Sequence, residues 1–400
     1  MIKYDKEKIE NIRLLKKAKQ WYAYQLIDDT KMASVMKACK SDLFRPNIFI
    51  RICLFLLACF VVSAVMGLFS LMLLPMFDAI TGEVFTIIFS LLFLIISAVA
   101  LEFFTNILKL YGSGVDDALL YTAISCFISF IAFAFGDNLK EEDAFMLIAF
   151  LLVPVSFFAM MRYLDRIMTL TTIVSFYTFL FFAVMKIGPI AKYIMPFVFM
   201  IVSYIVLVVI RKNENFWENR YLNRSKFILQ FVGLTVLYMS GNYFIIRETS
   251  IEQFGLVLEK GEDIPMAWFF YLFTVVVPIV YLYLGIKRKD KLYLWTGLLV
   301  LAATALTFKY YFSLGHPEIV LTLAGLLMIL VAYLAIKKLK NGHVLLTDEA
   351  DPNEDSYFKK HTEALAIAQS FGTQGALGNT ADGVNMGGGE FGGAGSGGKY

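Results

Sequence analysis

The chain has 400 residues, of which 58% are hydrophobic and 17% are charged. Soluble domains carry about 25% charged residues, so this composition indicates a membrane protein and excludes a chain built only from soluble domains. The formal net charge of +3 is too small to indicate nucleic-acid binding.

Residues 1–47 predict a basic pair of short cytoplasmic helices. This segment holds 11 of the 36 Lys and Arg residues, most of them in a first helix around residues 4–20. Asp28 and Asp29 predict a break and an N-cap before a second helix that includes Met32 and Met36.

Ten apolar blocks fill residues 48–337, and each approaches the roughly 20 residues of helix that cover a ~30 Å hydrocarbon core. We therefore predict an all-α, polytopic transmembrane helical bundle. The ten predicted spans are 48–75, 84–103, 118–135, 144–161, 167–185, 190–210, 227–246, 266–286, 292–308 and 317–336.

The distribution of Lys and Arg predicts the orientation, because basic residues near span ends stay on the cytoplasmic side. Alternate loops on one side carry 12 Lys and Arg, whereas the opposite loops carry six together with most of the loop acids. This bias predicts that both termini lie in the cytoplasm.

Residues 338–400 predict a cytoplasmic tail that is first acidic and then glycine-rich. Twelve of the 27 glycines fall between Gly372 and Gly398. Such a segment buries too little apolar surface to offset the entropy of ordering, so we expect disorder. Either the tail is simply flexible, or Phe371, Phe391 and Tyr400 contact a protein partner.

The sequence predicts no catalytic residues, no metal site and no cofactor, because it contains no nucleophile elbow, zinc motif or phosphate loop. Residues 112–117 resemble the Gly-x-Gly-Asp signature of intramembrane aspartyl proteases, with the aspartate one position late. Asp165 would have to supply the second carboxylate. A glycine-flanked loop with an acidic N-cap for the third span explains the same letters and is the favoured interpretation.

Two groups of polar residues within the spans are candidate binding residues in the bundle interior. The fifth span carries Thr171, Ser175 and Thr178 on one helical face, and the seventh carries Gln230, Ser240 and Asn242. Such hydroxyl groups either line a pathway or bond to neighbouring helices and to their own backbone.

Charged residues enter the spans only near their ends. Arg51 and Glu102 lie where long side chains reach the interface. Glu102 and Lys109 are seven residues apart, which predicts a local pair on one helix face.

The segment WYAYQLIDDTKMASVMKAC resembles the short cytoplasmic helix pair that opens a family of bacterial multi-pass membrane proteins, known as a domain of unknown function. Residues 281–340 resemble the closing span pair of such proteins, and GGGEFGGAGSGG resembles glycine-rich tails of other bacterial membrane proteins. The resemblance implies a bacterial inner-membrane location and brings no catalytic residues.

Three functions are therefore open. The favoured one is a non-enzymatic anchor, sensor or assembly partner that acts through its cytoplasmic termini, with the bilayer and a protein as its partners. The alternative is a permease for a small neutral or amphipathic solute. A membrane-embedded enzyme is the least favoured.

Overall fold

The computed structural model describes residues 3–24, 26–73, 82–213, 221–255 and 263–311, together with positions 326 and 333. Within these residues the chain forms twelve α-helices and no strand. In chain order they are α1 (Lys6–Ala23), α2 (Asp29–Ala38), α3 (Ile48–Leu73), α4 (Gly82–Ile107), α5 (Val115–Phe135), α6 (Glu141–Tyr163), α7 (Arg166–Met185), α8 (Ala191–Lys212), α9 (Asn223–Met239), α10 (Tyr243–Glu252), α11 (Ala267–Arg288) and α12 (Lys291–Tyr311).

Eight of these helices, α3–α8, α11 and α12, are long and apolar enough to cross a membrane. They coincide with the first six predicted spans and with the eighth and ninth. The tenth predicted span, 317–336, and the predicted tail lie outside the described residues apart from positions 326 and 333. The chain is thus a membrane-embedded helical protein, while the count of ten spans and the orientation stay predictions.

The predicted seventh span is wrong as a continuous helix. Helix α9 ends at Met239, α10 begins at Tyr243, and the two are bent by 72°. Asn242 occupies the N-cap position of α10, and its side-chain oxygen accepts a hydrogen bond from the backbone amide of Ile245 (3.3 Å). An N-cap Asn accepts a hydrogen bond from a backbone amide in the first turn of the helix that follows it. A new helix, α10, therefore begins here and runs in a new direction.

The helix pair α1 and α2 is present near its predicted place. The Asp5 side chain caps α1 by accepting from the amide of Glu7 (3.0 Å). Asp28 stands at the N-cap of α2 as predicted, but only its carbonyl oxygen is used there, accepting from the amide of Met32 (2.9 Å).

Three antiparallel helix pairs, α4–α5, α6–α7 and α11–α12, form the main contacts of the bundle, and α9 packs on α7, α8 and α12. The central core lies between α5, α6 and α7, around Leu119, Met160 and Ile173. Helix α3 buries little beyond Ala58 and points large apolar side chains such as Phe60 and Leu71 outward. This is the arrangement expected of a helix that faces lipid rather than water.

Candidate functional site

The hydroxyl groups predicted in the fifth span lie on α7. Thr171 is half-exposed and donates to a carbonyl oxygen of its own helix (2.9 Å), while Ser175 is buried and Thr178 is half-buried. The adjacent Thr172 is buried and donates to the hydroxyl of Ser156 on α6 (3.0 Å). These contacts match the helix-packing interpretation of the stripe.

The predicted residues of the seventh span separate along α9. Gln230 is half-buried and lies about 15 Å along the helix from the break, at 1.5 Å per residue. Ser240 is buried at the break and its hydroxyl donates to the carbonyl of Leu237 (2.8 Å). Asn242 is 2% exposed, also at the break.

Asn242 is the centre of a buried polar network that we call the broken-helix site. Its side-chain nitrogen donates to the hydroxyl oxygens of Tyr238 (2.8 Å) and Thr307 (3.1 Å). The Tyr238 hydroxyl lies 2.8 Å from the hydroxyl of Thr304, which donates to the carbonyl of Thr274 (3.0 Å). The network therefore joins α9, α11 and α12 at the point where α9 stops.

Two further contacts fix this bend. The backbone amide of Tyr243 donates to the hydroxyl of Thr274 (3.0 Å), which satisfies a donor freed at the start of α10. At Gly241 an added Cβ would lie 2.2 Å from the ring of Phe273 and 2.7 Å from the methyl group of Met200. Only glycine allows these side chains to pack so closely on the break.

A cavity of about 710 Å³ adjoins the broken-helix site between α9, α10 and α12. Its walls are mainly apolar, including Leu299, Val300 and Leu306, while Asn242 and Thr307 provide polar groups. A second cavity of about 230 Å³ lies on another side of the break, next to Ser240. Apolar walls with few polar groups suit a small apolar or amphipathic ligand.

A second polar cluster, the bundle-end cluster, gathers at the end of the bundle where α3 begins. It consists of Lys3, Arg51, Glu102, Asp116, Asp117 and Arg162 with their bonded neighbours. These charged side chains come from separate helices and from the segment before α1.

Glu102 joins three parts of the chain. It accepts hydrogen bonds from Arg162 (2.8 Å), from the hydroxyl of Tyr163 and from the ammonium group of Lys3. The backbone amide of Lys3 also donates to the carbonyl of Arg162 (3.0 Å). The predicted pair of Glu102 with Lys109 is therefore wrong, because α4 ends at Ile107 and Lys109 adopts a left-handed conformation that turns the chain away.

Asp42 ties the linker after α2 to both α1 and the bundle. Its carboxylate pairs with Lys109 and with Lys8 (2.8 Å), and these two partners, Lys109 first, lower the pKa of Asp42 to about 2. Next to it, the amide of Phe44 donates to the carbonyl of Lys109 (3.0 Å), forming a parallel bridge between Phe44 and Leu110. We call α1, α2 and the linker to residue 47 the helix-pair platform.

Arg51 and Asp117 form an ion pair between α3 and α5. Two guanidinium nitrogens of Arg51 lie 2.6 and 3.0 Å from one carboxylate oxygen of Asp117, whose side chain is 12% exposed. The neighbouring Asp116 accepts from the backbone amides of residues 112–114 (2.7–3.1 Å). Gly114 has φ +101° and approaches α3 so closely that an added Cβ would lie 2.3 Å from the carbonyl oxygen of Arg51.

The motif at residues 112–117 that resembles the aspartyl-protease signature is explained by the hydrogen bonds and ion pair of its carboxylates. Asp165 caps α7 by accepting from the amide of Met168 (2.8 Å) and also accepts from the hydroxyl of Tyr121 (3.1 Å). The aspartyl mechanism needs two carboxylates that share one proton. Asp116, Asp117 and Asp165 are each held by other donors instead, which fits the loop-and-cap interpretation.

The described part of the chain offers no group of three or more His, Cys, Asp and Glu side chains that could hold a metal ion. Cys39, Cys53, Cys59 and Cys126 are free thiols.

Comparison with protein-family models, curated proteins and solved structures gives no match to this chain. The resemblance to a bacterial membrane-protein family therefore stays a prediction. The broken-helix site and the bundle-end cluster have to be interpreted from their own chemistry.

Sequence reasoning missed the bundle-end cluster as a unit. It noted Arg51 and Glu102 as residues near span ends, and separately the acidic pair at residues 116–117 as an N-cap for the third span. The order of the spans could have revealed this cluster, because the start of one span and the end of the next lie on the same side of a membrane. That rule places four charged residues on the same side of the membrane, where acidic and basic side chains can form ion pairs: Arg51, Glu102, Asp117 and Arg162.

Proposed function

We propose that the chain is a non-enzymatic protein of the bacterial inner membrane that acts as an anchor, sensor or assembly partner through its cytoplasmic termini. The observation that supports this most is the docking of the helix-pair platform on the bundle. Asp42 of the platform pairs with Lys109, the carbonyl of Lys6 accepts from the hydroxyl of Tyr221 (3.1 Å), and Lys3, just before α1, pairs with Glu102. A partner that binds the platform is thereby coupled to the spans.

The outward surface of the platform suits a partner. Trp21 is 47% exposed and Leu26 is 68% exposed, close to the lysines of α1. Exposed aromatic and aliphatic side chains among polar residues are typical of protein interfaces. Tyr22, which is also exposed, donates its hydroxyl to Asp29 (2.6 Å) and so holds the end of α1 against the start of α2.

Site-specific photo-crosslinking in cells tests this role. A photoreactive amino acid replaces Trp21 or Leu26, and the matched control replaces Phe60, which is 73% exposed on the lipid-facing α3. We expect protein adducts at the two platform positions that are absent at Phe60. Identical adduct patterns at all three positions would contradict the proposal, and an unchanged partner set after deletion of residues 342–400 would exclude the tail.

The second candidate is a permease for a small neutral or amphipathic solute, and the broken helix specifically favours it. Many transporters bind their substrates where a membrane helix is interrupted, since freed backbone groups and buried polar side chains meet there. The 72° bend, the Asn242 network and the 710 Å³ cavity provide such a place.

Solute flux into liposomes that contain the purified protein tests this candidate. Asn242→Leu removes the central amide and should lower any flux at least tenfold. Gln230→Leu is the control, because Gln230 lies on the same helix but about 15 Å from the break. Flux that is insensitive to Asn242→Leu, or equally sensitive to both changes, would rule out this pathway.

A further inference from the structure

A basic cleft lies between the helix-pair platform and the bundle. Its volume is about 270 Å³, and it is walled by α1, by the linker before α3 and by the start of α9. Ile9 and Leu164 contribute apolar side chains to its walls. A neighbouring cavity of about 220 Å³ shares Arg45, Tyr111 and Arg224 with it.

Positive charge dominates this cleft. Among the described residues that line it, Arg13, Lys16, Arg45 and Arg224 carry positive charge and Glu10 carries negative charge; Lys16, Arg224 and Glu10 also make other contacts. The adjoining cavity adds three acids, Asp116, Asp117 and Asp165, and two further arginines, Arg51 and Arg166, so cations still outnumber acids among the described lining residues of the two cavities.

The geometry of the cleft suits a phosphate group. Three of its four cations are arginines, whose planar guanidinium groups donate paired hydrogen bonds to phosphate oxygens. The guanidinium carbon of Arg45 lies 5.4 Å from the ring centre of Tyr111, which in turn packs edge-on against Tyr4 at 4.7 Å. This cation–π contact favours a position of the exposed Arg45 side chain at the cleft.

The position of the cleft indicates the source of such a phosphate. Arg45 precedes the start of α3 by three residues, Leu164 lies between α6 and α7, and Arg224 lies in the first turn of α9. The cleft therefore opens at the level where candidate spans end, which in a membrane is the headgroup layer. Basic pockets at this level bind anionic headgroups.

We propose that this cleft is a binding site for a phosphate-bearing anion, with the headgroup of an anionic phospholipid as its natural source. A bound headgroup would bridge α1 to the start of α9 and strengthen the docking of the platform. Binding here does not require any protein partner of the platform, so the two proposals can fail separately.

Isothermal titration of the full chain in detergent micelles tests the site with three probes. These are dihexanoyl phosphatidylglycerol, dihexanoyl phosphatidylcholine and inorganic phosphate. The test variant is Arg13→Gln with Arg45→Gln. The control is Lys37→Gln with Lys40→Gln, which removes the same charge from exposed positions of the platform outside the lining of the cleft.

We expect saturable binding of phosphatidylglycerol that the test variant weakens about 25-fold, at about fivefold per cation removed, and that the control leaves within twofold. The same variant pattern with inorganic phosphate alone would support the site with a soluble anion as its source. Equal weakening by both double variants, or no saturable binding of phosphatidylglycerol and phosphate, would overturn the proposal. Matched thermal unfolding midpoints establish that all variants are folded.

Discussion

Replacing Asn242 by leucine should destabilise the bundle by about 2–4 kcal/mol. The change removes two interhelical hydrogen bonds, to Tyr238 and Thr307, and the cap on the amide of Ile245. Interhelical hydrogen bonds in membranes contribute about 0.6 kcal/mol on average and at most about 1.7, and an N-cap contributes about 1 kcal/mol. Leucine has the same number of side-chain heavy atoms as asparagine, branched at the same carbon, and is not smaller, so no cavity adds to this cost.

The measurement is reversible unfolding in mixed micelles, titrated with dodecyl sulfate and followed by circular dichroism. Ser240→Ala is the control, because the Ser240 hydroxyl bonds only a carbonyl of its own helix and its loss should cost less than about 0.5 kcal/mol. If Asn242→Leu costs no more than Ser240→Ala, the network does not stabilise the bend and the reasoning fails.

Three further predictions concern the bundle-end cluster and its surroundings. Gly114→Ala should lower the free energy of unfolding by at least about 2 kcal/mol in the same assay, because the φ of Gly114 is positive and an added Cβ would collide with a backbone oxygen. The control, Gly136→Ala, should leave it unchanged, because an added Cβ there meets open space. Asp117→Asn should cost about 2 kcal/mol by leaving the Arg51 guanidinium without its carboxylate, and adding Arg51→Met should recover most of this loss in a double-mutant cycle. Acidification should loosen α1 as the pH falls from about 4 to 2, because the lowered pKa of Asp42 adds stability only while its carboxylate is ionised. Faster proteolysis of α1 by pepsin should report this, and Asp42→Asn should weaken the pH dependence, leaving the part that comes from the pair of Lys3 with Glu102.

The distribution of apolar residues along the sequence predicted the helices well, because each span is a long apolar block bounded by polar or proline residues. The first predicted span, 48–75, corresponds to a helix over Ile48–Leu73, and the fifth, 167–185, to a helix over Arg166–Met185. In such segments, length and hydropathy alone distinguish a membrane helix from other structures.

The break in the seventh span was less accessible to sequence reasoning. Ser240, Gly241 and Asn242 are poor helix formers, but the apolar residues Tyr243–Ile246 continue the pattern of a span beyond them. Tertiary contacts favour the break. Thr274 on α11 and Thr307 on α12 form hydrogen bonds with the residues at the bend. These residues stand 31 and 65 positions away from their partners, a separation about which periodicity carries no information.

The docking of the platform has a consequence for the order of events during synthesis. The carbonyl of Lys6 accepts a hydrogen bond from a tyrosine made 215 residues later, and Lys3 pairs with a carboxylate made 99 residues later. At about 5–20 residues per second, the ribosome takes about 10–40 s to cover the longer interval. Helix α1 therefore cannot complete its docking until the chain has been translated as far as Tyr221, just before α9.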